Sequence, residues 1–135
     1  RKGGGKIEHL PLGEKMKESK RIYKSNIDAI MECNILLAVI DGRDTGTIFE
    51  MGYLRGAHDC ANEFEAKANT ADGPWRYLVT YTDENYGLNI MIKEAVDAHL
   101  IGEQDLKTFT NLIKVDDWDP VAVFSNFQNF NPNVI

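Results

Sequence analysis

Apolar residues recur at Met16, Tyr23, Ile27, Ile30 and Met31, three and four apart, and predict a helix over 14–33 with one buried stripe. Lys15, Lys17, Lys20, Arg21 and Lys24 fall mostly elsewhere on that helix and read as a solvated face, with a phosphate-seeking patch as the alternative. Residues 35–40 (ILLAVI) form a continuous apolar run, which suits a strand covered on both faces, as parallel strands are. Asp41-Gly42 ends the run with a turn signal, and from Thr47 the pattern is helical. A second strand is predicted over 75–82 (WRYLVTYT), after a polar stretch at 59–73 that reads as an insertion or a short irregular helix. Next come a helix over 88–101 with Ile92, Val96 and Leu100 on one face, a short strand over 112–115, and a final helix over 120–127. Strands alternating with helices imply βαβ units, hence a doubly wound, mainly parallel α/β sheet with helices on both faces.

The length of 135 residues suits a single domain over 1–135, with 1–13 as flexible chain or loop because of the opening Arg-Lys-Gly-Gly-Gly-Lys. A hydrophobic content of 43% and an aromatic content of 10% disfavour disorder. The net charge of −6 argues against a nucleic-acid partner, which calls for a basic face. No apolar run approaches the roughly 18–20 residues of a membrane span. Cys33 and Cys60 are too few for a disulfide framework, so a reducing, cytoplasmic setting is expected, with Cys33 a packed thiol. His9, His58 and His99 share no metal-ligand spacing and read as surface or capping residues. No P-loop, dinucleotide fingerprint or Ser-His-Asp arrangement occurs, so neither a cofactor nor a metal is expected. Trp75, Tyr77 and Tyr81 read as core, with Tyr81 near enough to the strand end to flank a ligand, and Phe124 to Phe130 as a docked amphipathic segment.

Ligands in an open α/β sheet bind beyond the carboxyl ends of the strands, which directs attention to residues 41–50, DGRDTGTIFE. This segment holds three acidic residues, two glycines that let the backbone turn or approach a ligand, and a helix start. Thr47-Ile48-Phe49-Glu50 fits a capping box, which gives Glu50 a purely structural role. The functional reading uses the same placement: a carboxylate in the first turn is kept ionised by the helix dipole and suits attack on an electrophilic sugar carbon. Asp44, at the strand exit, suits a sugar hydroxyl.

Residues 26–57 (NIDAIMECNILLAVIDGRDTGTIFEMGYLRGA) resemble the nucleoside 2-deoxyribosyltransferase family, in which a buried strand leads to a D-x-G-T-x-x-E-x-G-Y motif. The motif stands here from Asp44 to Tyr53, and Asn89-Ile90-Met91 is similar to the family's Asn-x-Met element. The resemblance implies a flavodoxin-like fold and exchange of the base of a 2′-deoxynucleoside for a free nucleobase. Glu50 would be the nucleophile, forming a covalent deoxyribosyl ester that the incoming base opens with net retention. Asp44 would bind the sugar hydroxyls, with Gly46 beside it and Asn26 also in the substrate-binding set. Asn89 and Met91 would reach into a neighbouring subunit's site, so at least a dimer is implied; helix-start polar residue and core methionine are their bland readings.

Two departures accompany the resemblance. Asn26 stands where many relatives carry an Asp that exchanges a proton with the base, and an amide cannot supply one; Asp28 lies about 200° further round the helix. Relatives also begin with a strand and a Gly- and aromatic-containing loop, and no such strand is predicted before residue 14, so a further N-terminal segment is expected. One rival function is an N-glycoside hydrolase of (deoxy)nucleoside 5′-monophosphates, whose members tend to carry Ser at the position of Asp44; a carboxylate beside a phosphate dianion is repulsive, which favours the unphosphorylated nucleoside. The other is a non-catalytic flavodoxin-like binding domain in which Glu50 is only a cap.

Overall fold

The computed structural model describes residues 7–42, 44–68, 76–84 and 87–127, apart from the side chains of 61–68. The chain divides into two units, Arg1–Cys33 and Asn34–Ile135. In the first, a one-turn 3-10 helix at Ile7–His9 precedes α1 (Leu12–Glu32), the helix that the apolar spacing predicts. The solvated basic face is present: Arg21 pairs with Glu18, and Lys24 Nζ lies 2.9 Å from Asp28 Oδ2, both at helical neighbour spacing. The apolar stripe behaves differently from expectation, because Ile30 is buried whereas Met16, Tyr23 and Met31 are exposed. Among the described residues, this unit offers the helix only a single 3-10 turn as a packing partner. Cys33 caps the helix end, its half-buried thiol donating to the Ile30 carbonyl at 3.2 Å.

In the second unit, β1 (Ile35–Val39), β2 (Tyr77–Thr82) and β3 (Ala98–Ile101) form one sheet in the order β1-β2-β3. Both pairings are parallel, with Val39 opposite Tyr81 and Tyr81 opposite Leu100. Parallel neighbours require crossovers, supplied by α2 (Thr45–Ala68) between β1 and β2 and α3 (Ile90–Ala95) between β2 and β3. After β3 come α4 (Gly102–Leu112) and α5 (Pro120–Phe124). This is the flavodoxin-like α/β architecture, with helices around a parallel sheet.

Alternation along the strands assigns the two faces. Tyr77, Val79, Tyr81, Ala98 and Leu100 form one buried cluster with Phe109 of α4, Val123 and Phe124 of α5, and Phe127. Tyr77 and Phe124 meet edge-on at 5.2 Å between centroids, as do Phe109 and Phe127 at 6.0 Å, while Phe109 and Phe124 stack at 6.4 Å. Leu78 and Thr80 point the other way and are also fully buried, on the side of α2, whose Met51 and Leu54 are buried as well. Every residue of β2 is buried, which reflects cover on both faces. In β1 the cover expected on both faces is incomplete: Leu37 and Val39 are exposed.

Several expected elements are corrected. The helix predicted over 88–101 is two elements, α3 and then β3, because Val96, Ala98 and Leu100 are buried at strand spacing. The strand predicted over 112–115 is absent: Leu112 ends α4, and Leu106, Phe109, Leu112 and Ile113 pack as a helical stripe on the aromatic cluster. The polar stretch from Asp59 continues α2 as far as Ala68, a regular helix where an insertion or irregular helix was expected. The last helix ends at Phe124, with Phe124 and Phe127 docked as expected; Trp75 and residues 128–135 lie outside the described residues.

Candidate functional site

The backbone ladder between β1 and β2 runs on to Ile40, whose N–H donates to the Tyr81 carbonyl at 3.1 Å. Beyond it the two chains separate, one through Asp41-Gly42 towards α2 and the other through Asp83 towards α3. The Asp83 N–H donates to both carboxylate oxygens of Asp41, at 3.2 and 3.0 Å. The Tyr81 hydroxyl donates to Asp83 Oδ1 at 2.7 Å. This bond, then burial, then the nearby carboxylates of Asp83, Glu103 and Asp41 push the phenol up to about 12. At the exit of β3, Gly102 adopts φ 81°, a left-handed conformation that favours glycine, and a Cβ there would stand 3.9 Å from the Asp83 carbonyl. The carboxyl ends of all three strands therefore meet around Asp83.

The start of α2 differs from the capping box expected at Thr47 and Glu50. The helix begins at Thr45, with Asp44 at its N-cap: Asp44 Oδ1 accepts the Gly46 N–H at 2.8 Å, and its carbonyl accepts the Ile48 N–H at 3.1 Å. Thr47 is the third helical residue and Glu50 the sixth, so Glu50 does not occupy the position from which a capping-box carboxylate reaches back. It is half-buried in the second turn, about 9 Å along the helix axis from Asp44 at 1.5 Å per residue. Gly46, read as part of a turn, lies instead in the first turn of the helix.

On the neighbouring strand exit, Asn89 is the N-cap of α3, its side-chain oxygen accepting the Met91 N–H at 2.8 Å. Its bland reading as a helix-start residue is therefore a description of what it does. Met91 is 76% exposed and Ile90 70%, so the reading of Met91 as a core residue is overturned. Asp44, Glu50, Asn89 and Met91 thus belong to the segments that follow two adjacent parallel strands. Asn26 is half-buried on α1 and belongs to the other unit, and the nearby Asp28 is paired with Lys24.

A buried polar group escaped the sequence reading. Asp97 is fully buried, and its Oδ2 accepts from Arg55 Nη2 at 2.9 Å and from the Leu78 N–H at 2.8 Å. His58 is also buried, with Nδ1 3.4 Å from Arg55 Nη1, and His99 sits between the hydroxyls of Thr80 at 2.8 Å and Thr82 at 3.3 Å. The expectation of surface or capping histidines is therefore wrong for His58 and His99, while His9 is exposed. Burial holds His99 below the usual histidine range, although Thr80 and the carboxylates of Asp105 and Asp41 oppose it. An Asp inside the apolar run from Val96 to Leu100 was the available signal, since such a residue demands a buried partner. Asp97 lies beside Leu78 near the start of β2, about 13 Å from the strand exit at 3.3 Å per residue, so this cluster braces α2 against the sheet away from the exits.

The architecture defines a flavodoxin-like α/β protein, a class in which ligands bind beyond the carboxyl ends of the strands. Residues 6–100 match the family model for nucleoside 2-deoxyribosyltransferase, and the chain belongs to that family. Comparison with curated proteins and with solved structures yields no match. The family is one of transferases, and it implies nucleosides and nucleobases as substrates. No helix among the described residues is long and apolar enough to cross a membrane.

Proposed function

We propose that the protein transfers 2-deoxyribose between the nucleobases of 2′-deoxynucleosides through a deoxyribosyl ester on Glu50. The observation that carries this reading is the position of Glu50 in the second turn of α2, off the capping position and behind a strand exit, in a chain of this family. A Glu50 carboxylate oxygen attacks the anomeric carbon as the glycosidic C–N bond breaks, and the bonding pair leaves with the base, which takes up a proton. The incoming base attacks the same carbon through a ring nitrogen, loses its proton, and returns the ester's bonding pair to Glu50. Two inversions give net retention.

Asp44 accepts hydrogen bonds from the deoxyribose hydroxyls; a carboxylate offers about four acceptor positions, so capping α2 leaves it able to do so. Gly46 belongs to the same helix start, and Asn26 is assigned to the base as donor and acceptor. The exposed Met91, with Asn89, is assigned to the site of a neighbouring subunit, which makes the active form at least a dimer, acting in the cytoplasm.

Incubation with deoxyinosine and adenine, followed by chromatography, tests the reading. Deoxyadenosine is the expected product; free deoxyribose in its place identifies a hydrolase, and silence from folded protein identifies a non-catalytic domain. Glu50→Gln is expected to lower exchange on the order of a thousandfold with the circular dichroism spectrum retained.

A further inference from the structure

Main-chain pairing between β1 and β2 ends at Ile40, and one residue later a side chain supplies the next rung. Both oxygens of the Asp41 carboxylate face the Asp83 N–H, at the point where the two chains part. Asp83 is also held by the Tyr81 hydroxyl, which donates to its carboxylate. Asp41 therefore anchors the β1–α2 turn to a point that the rest of the sheet has fixed. That turn leads within three residues to Asp44 and within nine to Glu50, while Asp83 leads within six to Asn89.

The geometry points to Asp41 as a positioning residue for the transfer reaction, tying the turn that carries Asp44 and Glu50 to the segment that carries Asn89 and Met91. The inference rests on the function proposed above. Nucleophilic attack requires the carboxylate to be held close to its line of approach, and a displacement of about 1 Å from a change remote from the chemistry costs on the order of a hundredfold in rate. Asp41 touches neither sugar nor base in this role; it acts through the placement of Glu50.

The test compares Asp41→Ala, which removes the acceptor, with Asp41→Asn, whose side-chain oxygen still accepts the Asp83 N–H. In the deoxyinosine and adenine assay, Asp41→Ala is expected to lower kcat at least about tenfold with KM within about threefold, because orientation is lost while ground-state contacts remain. Asp41→Asn is expected to stay within about threefold of the parent kcat. Hydrogen exchange at the Asp83 amide, followed by NMR, should accelerate in Asp41→Ala and stay close to parental in Asp41→Asn. The inference is overturned by an Asp41→Ala enzyme with parental kcat, by unchanged protection of the Asp83 amide, or by an Asn variant as impaired as the Ala variant. Should the Ala substitution prevent folding, near-parental kcat and Asp83 protection in the Asn variant still decide for the tether, and their loss against it. A parent that neither exchanges nor hydrolyses nucleosides sinks the transfer reading and the catalytic part of this one, while the amide measurement still reports whether the two exits are tied.

Discussion

Replacing Asp97 with Ala removes a side chain that is wholly buried and accepts two hydrogen bonds on one oxygen, from Arg55 Nη2 and the Leu78 N–H. The substitution leaves a mostly buried guanidinium and a strand N–H without that acceptor. Breaking a buried ion pair from one side costs about 3–5 kcal/mol. The Arg55 side chain retains 11% exposure and has Asp59 Oδ1 at 3.8 Å, which places the expected loss at the lower end, about 3 kcal/mol. For a chain of this size that corresponds to a fall in Tm of about 10–15 °C, read by circular dichroism at pH 7. Asp97→Asn, which keeps an oxygen for the Leu78 N–H but loses the charge, should fall between the two. Burial pushes the Asp97 carboxyl above its ordinary value, outweighing the attraction of Arg55 and the hydrogen bonds from Leu78 and Arg55. The folded chain thus holds this proton more tightly than the unfolded chain. The group's contribution is fully present below the unfolded value near 3.9 and is lost as pH rises through the higher folded value. The Tm gap between parent and Asp97→Asn, a side chain that does not titrate, should therefore be widest near pH 4 and narrow towards neutrality. A fall of less than about 3 °C for the Ala variant, or a gap that widens with pH, refutes the reasoning.

Asp44→Ser keeps a capping oxygen and should leave Tm within about 2 °C of the parent, whereas Asp44→Ala should lose about 1 kcal/mol; if Asp44 also holds the sugar, both variants raise KM for the nucleoside alike. Tyr81, pushed up to about 12, should remain a phenol at pH 11 in ultraviolet titration, and Asp83→Asn should move its midpoint back towards the ordinary value. Its contribution to stability is complete below the unfolded value near 10 and is lost between there and about 12, so alkaline unfolding should shift to lower pH in Asp83→Asn. Mixing two inactive proteins, Glu50→Gln and Met91→Asp, should restore up to about a quarter of parental exchange in a dimer with shared sites, since half the dimers are mixed and each carries one intact site. No recovery places Glu50 and Met91 in the same subunit's site.

The parallel sheet was legible in the sequence where local pattern and burial agree. The 75–82 run became β2 with cover on both faces, whereas the 35–40 run became β1 through its pairing with β2 although Leu37 and Val39 are exposed. Legibility failed from residue 88 to 115, where a six-residue helix and a four-residue strand lie side by side. Ile92, Val96 and Leu100 mimic a helical stripe, although the last two are buried because β2 and the aromatic cluster surround them. A period cannot be read from elements shorter than about two of its turns, so tertiary cover decided their state. The buried Arg55–Asp97 pair was hidden for the same reason: a helix over 88–101 puts Asp97 off its apolar stripe, while the actual strand start puts it beside Leu78.

Near the candidate site, the structural roles that the sequence offered to two carboxylates were exchanged. The sequence offered Glu50 a capping role through Thr47 and offered Asp44 to the ligand, whereas Asp44 carries the cap and Glu50 lies beyond it. The exchange follows from where the strand stops. Because the ladder reaches Ile40 and Asp41 is committed to Asp83, only a short turn separates the sheet from α2, and the first side chain able to close the helix is Asp44. Starting the helix there moves Glu50 from the third position to the sixth, out of reach of the N-cap amide and into the second turn. A cap at Asp44 thus removes the structural explanation that competed with a chemical role for Glu50. The carboxylate that the sequence could explain without catalysis is the one whose position now calls for a catalytic test, and Glu50→Gln makes that test without the loss of a capping box.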